Sequence, residues 1–291
     1  MAVSTKIRPA ARPQAMRKNL MTALKYAVLC VVASIFLLPF FWLINTSLKV
    51  ETQVLTYPPV WFPQPIRWQN YADVLTTAGF PFLRLLRNTV FYAGTGTLGM
   101  LLSCSVVAYG FARLRFRGRD FLFAITLSTM MLPGIVRMIP TYLMFRWFGW
   151  VGTYAPLLVP QFFGNAFNIF LLRQFFLTLP WELSDAARVD GAGEFRIFWQ
   201  VMLPLVRPAL LVAGVFHFMF LWDDFMGPLI YLNDSRLYPL VLGLAAFRTK
   251  YEVRWNLMMA ASLLTSAPLI VIFFIAQRHL IEGVALSGLK G

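Results

Sequence analysis

The stretch Tyr26-Ala-Val-Leu-Cys-Val-Val-Ala-Ser-Ile-Phe-Leu-Leu-Pro-Phe-Phe-Trp-Leu-Ile44 carries no charged residue from 26 to 44. About 20 apolar residues in helical form cross the hydrocarbon core of a bilayer, so this run reads as a membrane span. It is too long for a signal-peptide core and has no convincing cleavage site, so it is expected to be retained. Five more runs of similar length follow, at about 89–110, 121–143, 154–176, 207–230 and 259–279. The expected fold is an all-α integral membrane protein with six transmembrane helices.

Composition agrees. The 291 residues are 59% hydrophobic and 13% charged. A soluble domain has roughly a quarter of its residues charged, so this chain cannot build a water-facing surface all round. The net charge of +14 does not indicate nucleic acid, because the basic residues sit in short runs between apolar segments, as membrane topology requires. Cys30 and Cys104 fall inside apolar runs, with no metal-ligand spacing and no disulfide expected. His217 and His279 are isolated, so no metal cluster is expected.

Basic residues set the orientation. Residues 1–25 carry Lys6, Arg8, Arg12, Arg17, Lys18 and Lys25 and read as a cytoplasmic tail, disordered at its Pro/Ala-rich start. Arg113, Arg115, Arg117 and Arg119 crowd the connection between spans two and three. Together they place both chain ends and the 177–206 loop in the cytoplasm. Residues 26–280 form the membrane domain and 281–291 a cytoplasmic C-terminal tail. The segment 45–88, with Pro58, Pro59, Pro63, Pro65, Trp61 and Trp68, reads as an outer loop bearing an amphipathic helix near Trp68–Leu75. Loop 144–153, with Arg146 alone, also fits the outside; charge in the long loops 45–88 and 231–258 counts for little.

Two spans are expected to be irregular. The third holds Pro133-Gly134 and Pro140 with Arg137 between them; the fifth ends at Gly227-Pro228. Proline removes a backbone donor and bends a helix. In a membrane the freed groups need neighbouring helices or a watery cavity. A plain bend and a functional break both fit.

The 177–206 loop is read as two short helices around a turn. Pro180 opens the first, and Glu182 and Asp185 suit the positive end of its dipole. Asp190-Gly191 marks the turn. Glu194 to Val201 forms the second, with Phe195, Phe198 and Trp199 on an apolar side, stopped by Leu203-Pro204. Ala186, Ala187 and Ala192 are small enough to admit another protein's surface. A docking element and an ordinary connecting loop both remain open on these residues.

The resemblance goes further. Asp185-Ala186-Ala187, Asp190-Gly191-Ala192, Val201 and Leu203-Pro204 resemble, at fixed spacing, the signature loop of ABC-importer permeases. The family usually begins this loop with Glu, and Asp185 is one methylene shorter. Trp222-Asp223-Asp224-Phe225 with Gly227-Pro228-Leu229-Ile230 resembles the end of span five in carbohydrate-uptake permeases, which more often have Asn where Asp223 stands. Gln277-Arg278 through Gly283 to Gly288-Leu289-Lys290-Gly291 is similar to the C-terminus of the second permease of the maltose type.

This resemblance implies a type I importer permease with a cytoplasmic coupling-helix loop in a bacterial inner membrane. It implies a second permease, two ATPase subunits and an external solute-binding protein as partners, and a saccharide as cargo. The loop would dock on the ATPase, and Leu289, Lys290 and Gly291 would reach the ATPase interface.

Inside the membrane, Gln161, Asn165 and Asn168 are spaced to share one helix face. Interhelical glue and substrate contact both suit them. His217, Trp222, Asp223 and Asp224 lie on span five, where an acidic pair is costly unless hydrated or paired. A basic partner such as Arg137 would answer Asp223. These residues are the candidate substrate pathway.

Other classes are disfavoured. No Gly-x-x-x-x-Gly-Lys-Ser/Thr loop cradles phosphates, so no cofactor is expected in this chain, and ATP with Mg belongs on the partner ATPase. An ion-coupled transporter would need more intramembrane carboxylates and an inverted repeat. No triad or paired-carboxylate arrangement suggests an enzyme.

Overall fold

The structure is a computed structural model that describes residues 12–77, 80–248 and 253–288. Among these the chain is helical, with a single isolated bridge between Arg248 and Val253. Four helices are long and apolar enough to cross a membrane alone, Arg17–Ser47, Phe82–Arg113, Ala155–Thr178 and Trp255–Gln277. Two bent helix pairs complete six spans.

Helix α1 runs Arg12–Ser47. It begins well before position 26, so the expected tail is helical from Arg12 onward. Ala, Met, Leu, Lys and Arg fill its first turns and are good helix formers, and Pro13 falls in the first turn, where its missing donor costs little. The expected disordered start at 1–11 lies outside the described residues. The apolar window of α1 is 0% buried within the chain, as lipid or partner contact requires. It leans on the final helix.

The outer segment holds α2 (Gln69–Thr76), close to the expected amphipathic helix. Asn70 is buried and donates to the Ser47 and Lys49 carbonyls, each at 2.8 Å, which ties α2 to the end of α1.

Helix α3 (Phe82–Arg113) starts earlier and ends later than expected and forms the spine of the fold. One core cluster gathers around its first half, with Tyr92, Leu157, Leu221, Trp222 and Ala260. A second gathers around its last half, with Met100, Cys104, Tyr109, Phe176, Ile197 and Met202.

The third span is α4 (Arg119–Ser128), a 3-10 turn at Thr129–Met131, and α5 (Gly134–Trp147). The two arms meet at 100° at Leu132-Pro133, far beyond a plain bend. The fourth comprises α6 (Ala155–Leu158), a 3-10 turn at Val159–Phe163, and α7 (Ala166–Thr178). Gly164 breaks it with φ +90°, a conformation L-residues with side chains rarely adopt.

The 177–206 segment forms α8 (Glu182–Val189) and α9 (Glu194–Leu205). Leu203-Pro204 does not stop α9 as expected. A π-helical stretch at Ile197–Met202 loosens the helix, Pro204 is carried in the turn after it, and the chain bends by 76° at Val206. Nor do the aromatic residues share one side. Phe198 is buried, whereas Phe195 is 78% exposed and stacks on Trp199.

Helix α10 (Arg207–Trp222) ends at Asp223, not at Gly227-Pro228. The short α11 (Met226–Tyr231) follows. Pro228 lies in its first turn, where no helical donor is needed, so the proline starts a helix instead of ending one. After α12 (Leu240–Gly243), α13 runs Trp255–Gly288, so residues 281–288 of the expected C-terminal tail continue the last helix.

Candidate functional site

At one end of the bundle, α8 and α9 are joined by a Schellman turn. The Ala192 N–H donates to the Ala187 carbonyl at 2.9 Å and the Gly191 N–H to the Arg188 carbonyl at 3.0 Å. Gly191 takes φ +80°. A Cβ there would meet nothing within 4 Å, so the demand on this position is backbone conformation alone.

Arg188 fixes the angle between the two helices. It bonds Asp185 and Glu194, each at 2.8 Å. The Tyr109 hydroxyl of α3 donates to the other Glu194 oxygen at 2.8 Å. The Arg188 bond, aided by Tyr109, holds the Glu194 carboxyl below its ordinary range. The same bond to Glu194 pushes the Arg188 guanidinium up.

Asp185 is therefore paired within the chain, although its side chain is still 66% exposed. Ala186, Asp190 and Gly191 are exposed, while Ala187 and Ala192 pack against the core cluster at the end of α3. Val201, Leu203 and Pro204 are half-buried on α9. Leu289, Lys290 and Gly291 lie outside the described residues.

Arg113 departs from expectation. It is not a loop charge like Arg115 and Arg117; it ends α3 and is 2% exposed. Its Nε and Nη2 donate to the Phe176 carbonyl at 3.1 and 2.8 Å, and Nη1 donates to the Pro180 carbonyl at 3.4 Å. The guanidinium lies 4.6 Å over the Trp181 ring. A cation at a helix C-terminus satisfies its free carbonyls. Arg113 thus seats α7 and the entry to α8 on the spine. It shares a cleft of about 610 Å³ with Arg115, Trp181, Asp185, Arg188 and Glu194.

The second candidate region lies on the broken spans. Gln161, Asn165 and Asn168 do not share one continuous helix face, because Gly164 separates Gln161 from the other two. Gln161 sits in the 3-10 turn and donates to the Leu157 carbonyl at 3.4 Å. Asn165 caps α7, its Oδ1 accepting from the Asn168 N–H at 3.2 Å. The structure brings Asn165 and Asn168 together with His217, across a cavity of about 240 Å³.

Trp222 is buried and donates its indole N–H to the Thr265 carbonyl at 3.2 Å, joining α10 to α13. The two acids differ. Asp224 accepts from the Tyr92 hydroxyl at 2.6 Å and from the Gly227 N–H at 3.0 Å, which ties it to α3 and to the start of α11. Asp223 is exposed, and among the described residues no ion pair joins it to Arg137. No group of His, Cys, Asp or Glu among the described residues is placed to hold a metal.

Residues 96–285 match the family model for the binding-protein-dependent transport system inner membrane component. The chain belongs to this family of membrane transport permeases. The permease is 30% identical over 262 residues to the arabinooligosaccharides transport system permease protein AraQ of Halalkalibacterium halodurans, covering 89% of this chain and 93% of the relative. It is also 30% identical to the sn-glycerol-3-phosphate transport system permease protein UgpE of Yersinia enterocolitica, with 90% and 95% covered. The permease fold matches a chain from a bacterial ABC transporter involved in the import of the acidic polysaccharide alginate, with TM-score 0.77 and 24% identity over 93% of this chain and 99% of that one. The all-α, six-span fold of a type I importer permease is thus confirmed.

Four residues of the site are not among those that the sequence singles out for the coupling loop. Arg188 stands three residues after Asp185, a spacing at which helical side chains meet, so it is within reach of pattern reading. Glu194 reads in the sequence only as a helix start. Tyr109 and Arg113 are distant in sequence and carry no local signal.

Proposed function

We propose that this permease forms half of the translocation pathway of an ATP-driven importer for a sugar or oligosaccharide. The observation that carries this reading is the α8–Gly191–α9 pair. It is a rigid, charge-locked unit with an exposed Asp185, Ala186 and Phe195, joined to the membrane bundle through Tyr109 and Arg113. An isolated bundle has no use for such a lever; a partner that moves has. The partners are a second permease, two ATPase subunits that hold ATP and Mg, and an external solute-binding protein that delivers the saccharide. The α8–α9 unit, both chain ends and residues 289–291 face the cytoplasm and the ATPase; the 45–88 segment faces outside. ATP-driven closure of the partners is passed through Asp185 to Pro204 into the spans. The saccharide class is supported by the likeness to the arabinooligosaccharides transport system permease.

The test is uptake into vesicles carrying the reconstituted complex. Saccharide uptake that requires ATP and persists after ionophores collapse the ion gradients is the expected result. Uptake that follows the ion gradient without ATP would overturn the reading.

A further inference from the structure

We propose that Ser103 and Cys104 of α3 are positioning residues for transport. They clasp the two sides of the break in the fourth span, and the clasp lets go each time the permease changes between its inward-open and outward-open states. The proposal rests on the ATP-driven importer reading above and names the contact at which its movement is released.

The break frees backbone groups from the helical ladder. Gly164 takes φ +90° and ψ 159°, a region open to glycine almost alone. Asn165 after it is extended, with φ −130° and ψ 128°. Inside a membrane such freed groups must be met by a neighbouring helix. Two consecutive residues of α3 meet them. The Cys104 thiol accepts from the Asn165 N–H at 3.2 Å and faces the Asn165 carbonyl as a donor at 3.8 Å. The Ser103 hydroxyl donates to the Gln161 carbonyl at 3.0 Å. One side chain thus holds the chain before Gly164 and the other holds the chain after it.

The surface of α3 is shaped for this contact. Gly96, Gly99 and Ser103 recur at helical spacing and share one face. A Cβ at Gly99 would lie 2.7 Å from the Phe162 ring, and one at Gly96 would lie 3.5 Å from Cγ of Gln161. The 3-10 turn at Val159–Phe163 therefore lies against the α3 backbone, near enough for two short side chains to reach its carbonyl and the N–H beyond it. Cys104 is 0% exposed, so the clasp is closed to water in this state.

Every bond of the clasp is easy to release. A thiol is a weak donor and a weak acceptor. The Asn165 carbonyl keeps a second partner, the Ile169 N–H at 2.9 Å. Asn165 is itself exposed, so water can take over its N–H once the thiol withdraws. The Ser103 proton has other acceptors in its own helix, the Gly99 and Met100 carbonyls at 2.8 and 3.2 Å. It can leave Gln161 without being orphaned. The far end of α7 is the opposite case. There Arg113 grips the Phe176 carbonyl through two charged bonds at 3.1 and 2.8 Å, and charged bonds are roughly twice as strong as neutral ones. Helix α7 is thus pinned firmly beside α8 and held weakly at Gly164. A displacement of the α8–α9 unit is carried by the pinned end and released at the clasp.

The experiment uses the complete complex in lipid vesicles and methyl methanethiosulfonate, a small permeant thiol reagent. Mass spectrometry of the peptide that holds Cys104 gives its labelling rate. Two states are compared, the complex at rest without nucleotide and the complex arrested with ATP, Mg and vanadate. Labelling of Cys104 is expected to be slow at rest and at least about tenfold faster after arrest. Cys30, exposed on α1, is the internal control and should label alike in both states. Ser103→Ala should raise the resting rate about two- to tenfold, the weight of one hydrogen bond, and shrink the ratio between the states by the same factor. A purely structural role would leave labelling independent of nucleotide. A Cys104 rate that does not rise on arrest, a rise shared by Cys30, or an unchanged ratio in Ser103→Ala would overturn the clasp. ATP hydrolysis in the same vesicles separates the two failures. If vanadate arrests hydrolysis and Cys104 labels as at rest, the clasp alone is wrong. If the complex hydrolyses no ATP, the importer reading is wrong and the clasp falls with it.

Discussion

The Tyr109 hydroxyl donates to Glu194 at 2.8 Å, a bond that ties the membrane spine to the α8–α9 unit that Arg188 has already locked. Tyr109 is 4% exposed, so the bond is sheltered from competing water. Tyr109→Phe is expected to cost about 1.5–3 kcal/mol, as for a hydrogen bond to a charged group. The larger effect should be on coupling, with ATP hydrolysis continuing while uptake per ATP falls. Paired measurements of hydrolysis and uptake check this, and an unchanged ratio would remove Tyr109 from the transmission route.

The same carboxylate gives a pH signature. The Glu194 pKa is depressed in the folded chain, chiefly by Arg188. Its contribution is therefore complete above the unfolded value of about 4.3 and is lost as pH falls through the lower folded value. Because the pair is part-exposed, the effect is under about 1 kcal/mol. The melting temperature of Glu194→Gln should lie below wild type at pH 7, and the gap should close in acid. A gap that widened in acid would reverse the assignment.

Gly191 should tolerate no β-branched residue. With φ at +80° the strain of a side chain is about 1–2 kcal/mol. Gly191→Val is expected to leave the spans inserted and to loosen the ATPase in pull-down. Asp185→Ala should be milder, because its carboxylate is exposed and part of the lock survives through Arg188 and Glu194. Wild-type association and coupling in both variants would remove the docking role of α8–α9.

Arg113 should matter more than its place in an arginine run suggests. Arg113→Met leaves the carbonyls at the end of α7 without donors, at a cost of about 2–4 kcal/mol. Arg113→Lys should rescue only part, since an ammonium cannot fork between carbonyls and lie flat on Trp181. Thermal unfolding in detergent decides. Matching changes at Arg115, which is not buried, would show that charge and not geometry is at work.

Topology is tested by labelling. In a chain lacking Cys30 and Cys104, a cysteine placed at Arg117 should react with an impermeant reagent only from the cytoplasmic side. Labelling from outside alone would invert the orientation.

The membrane class and the number of spans were legible because an uncharged run of some twenty residues is stable almost nowhere except in a bilayer. Pro133 was also legible as a break, since it removes a donor in mid-span. The breaks at Gly164 and Asp223 were not. A lone glycine at 164 carries no strong breaking signal, and a helical repeat read across it put Gln161 on the same face as Asn165 and Asn168. At Gly227-Pro228 the rule that proline ends helices pointed the wrong way, because a proline in a first turn begins one. The loop was found by its spacing, yet its lock was only half visible. Arg188 lay one helical turn from Asp185, whereas Tyr109 and Arg113 arrive from a different span, and no local pattern announces them.

Of the long helices, α1 contains Pro39 and α13 contains Pro268, whereas α3 contains no proline in its 32 residues. Its neighbours on both sides are interrupted. The fourth span is broken at Gly164 and the fifth at Asp223, and both rest on α3. An uninterrupted member flanked by jointed ones behaves as a connecting rod. A push received at Tyr109 reaches Leu85, about 36 Å away along the axis, with no joint between them to absorb it. The jointed spans beside it are then where displacement becomes opening, and stiffening Gly164 should jam the machine while leaving every subunit in place.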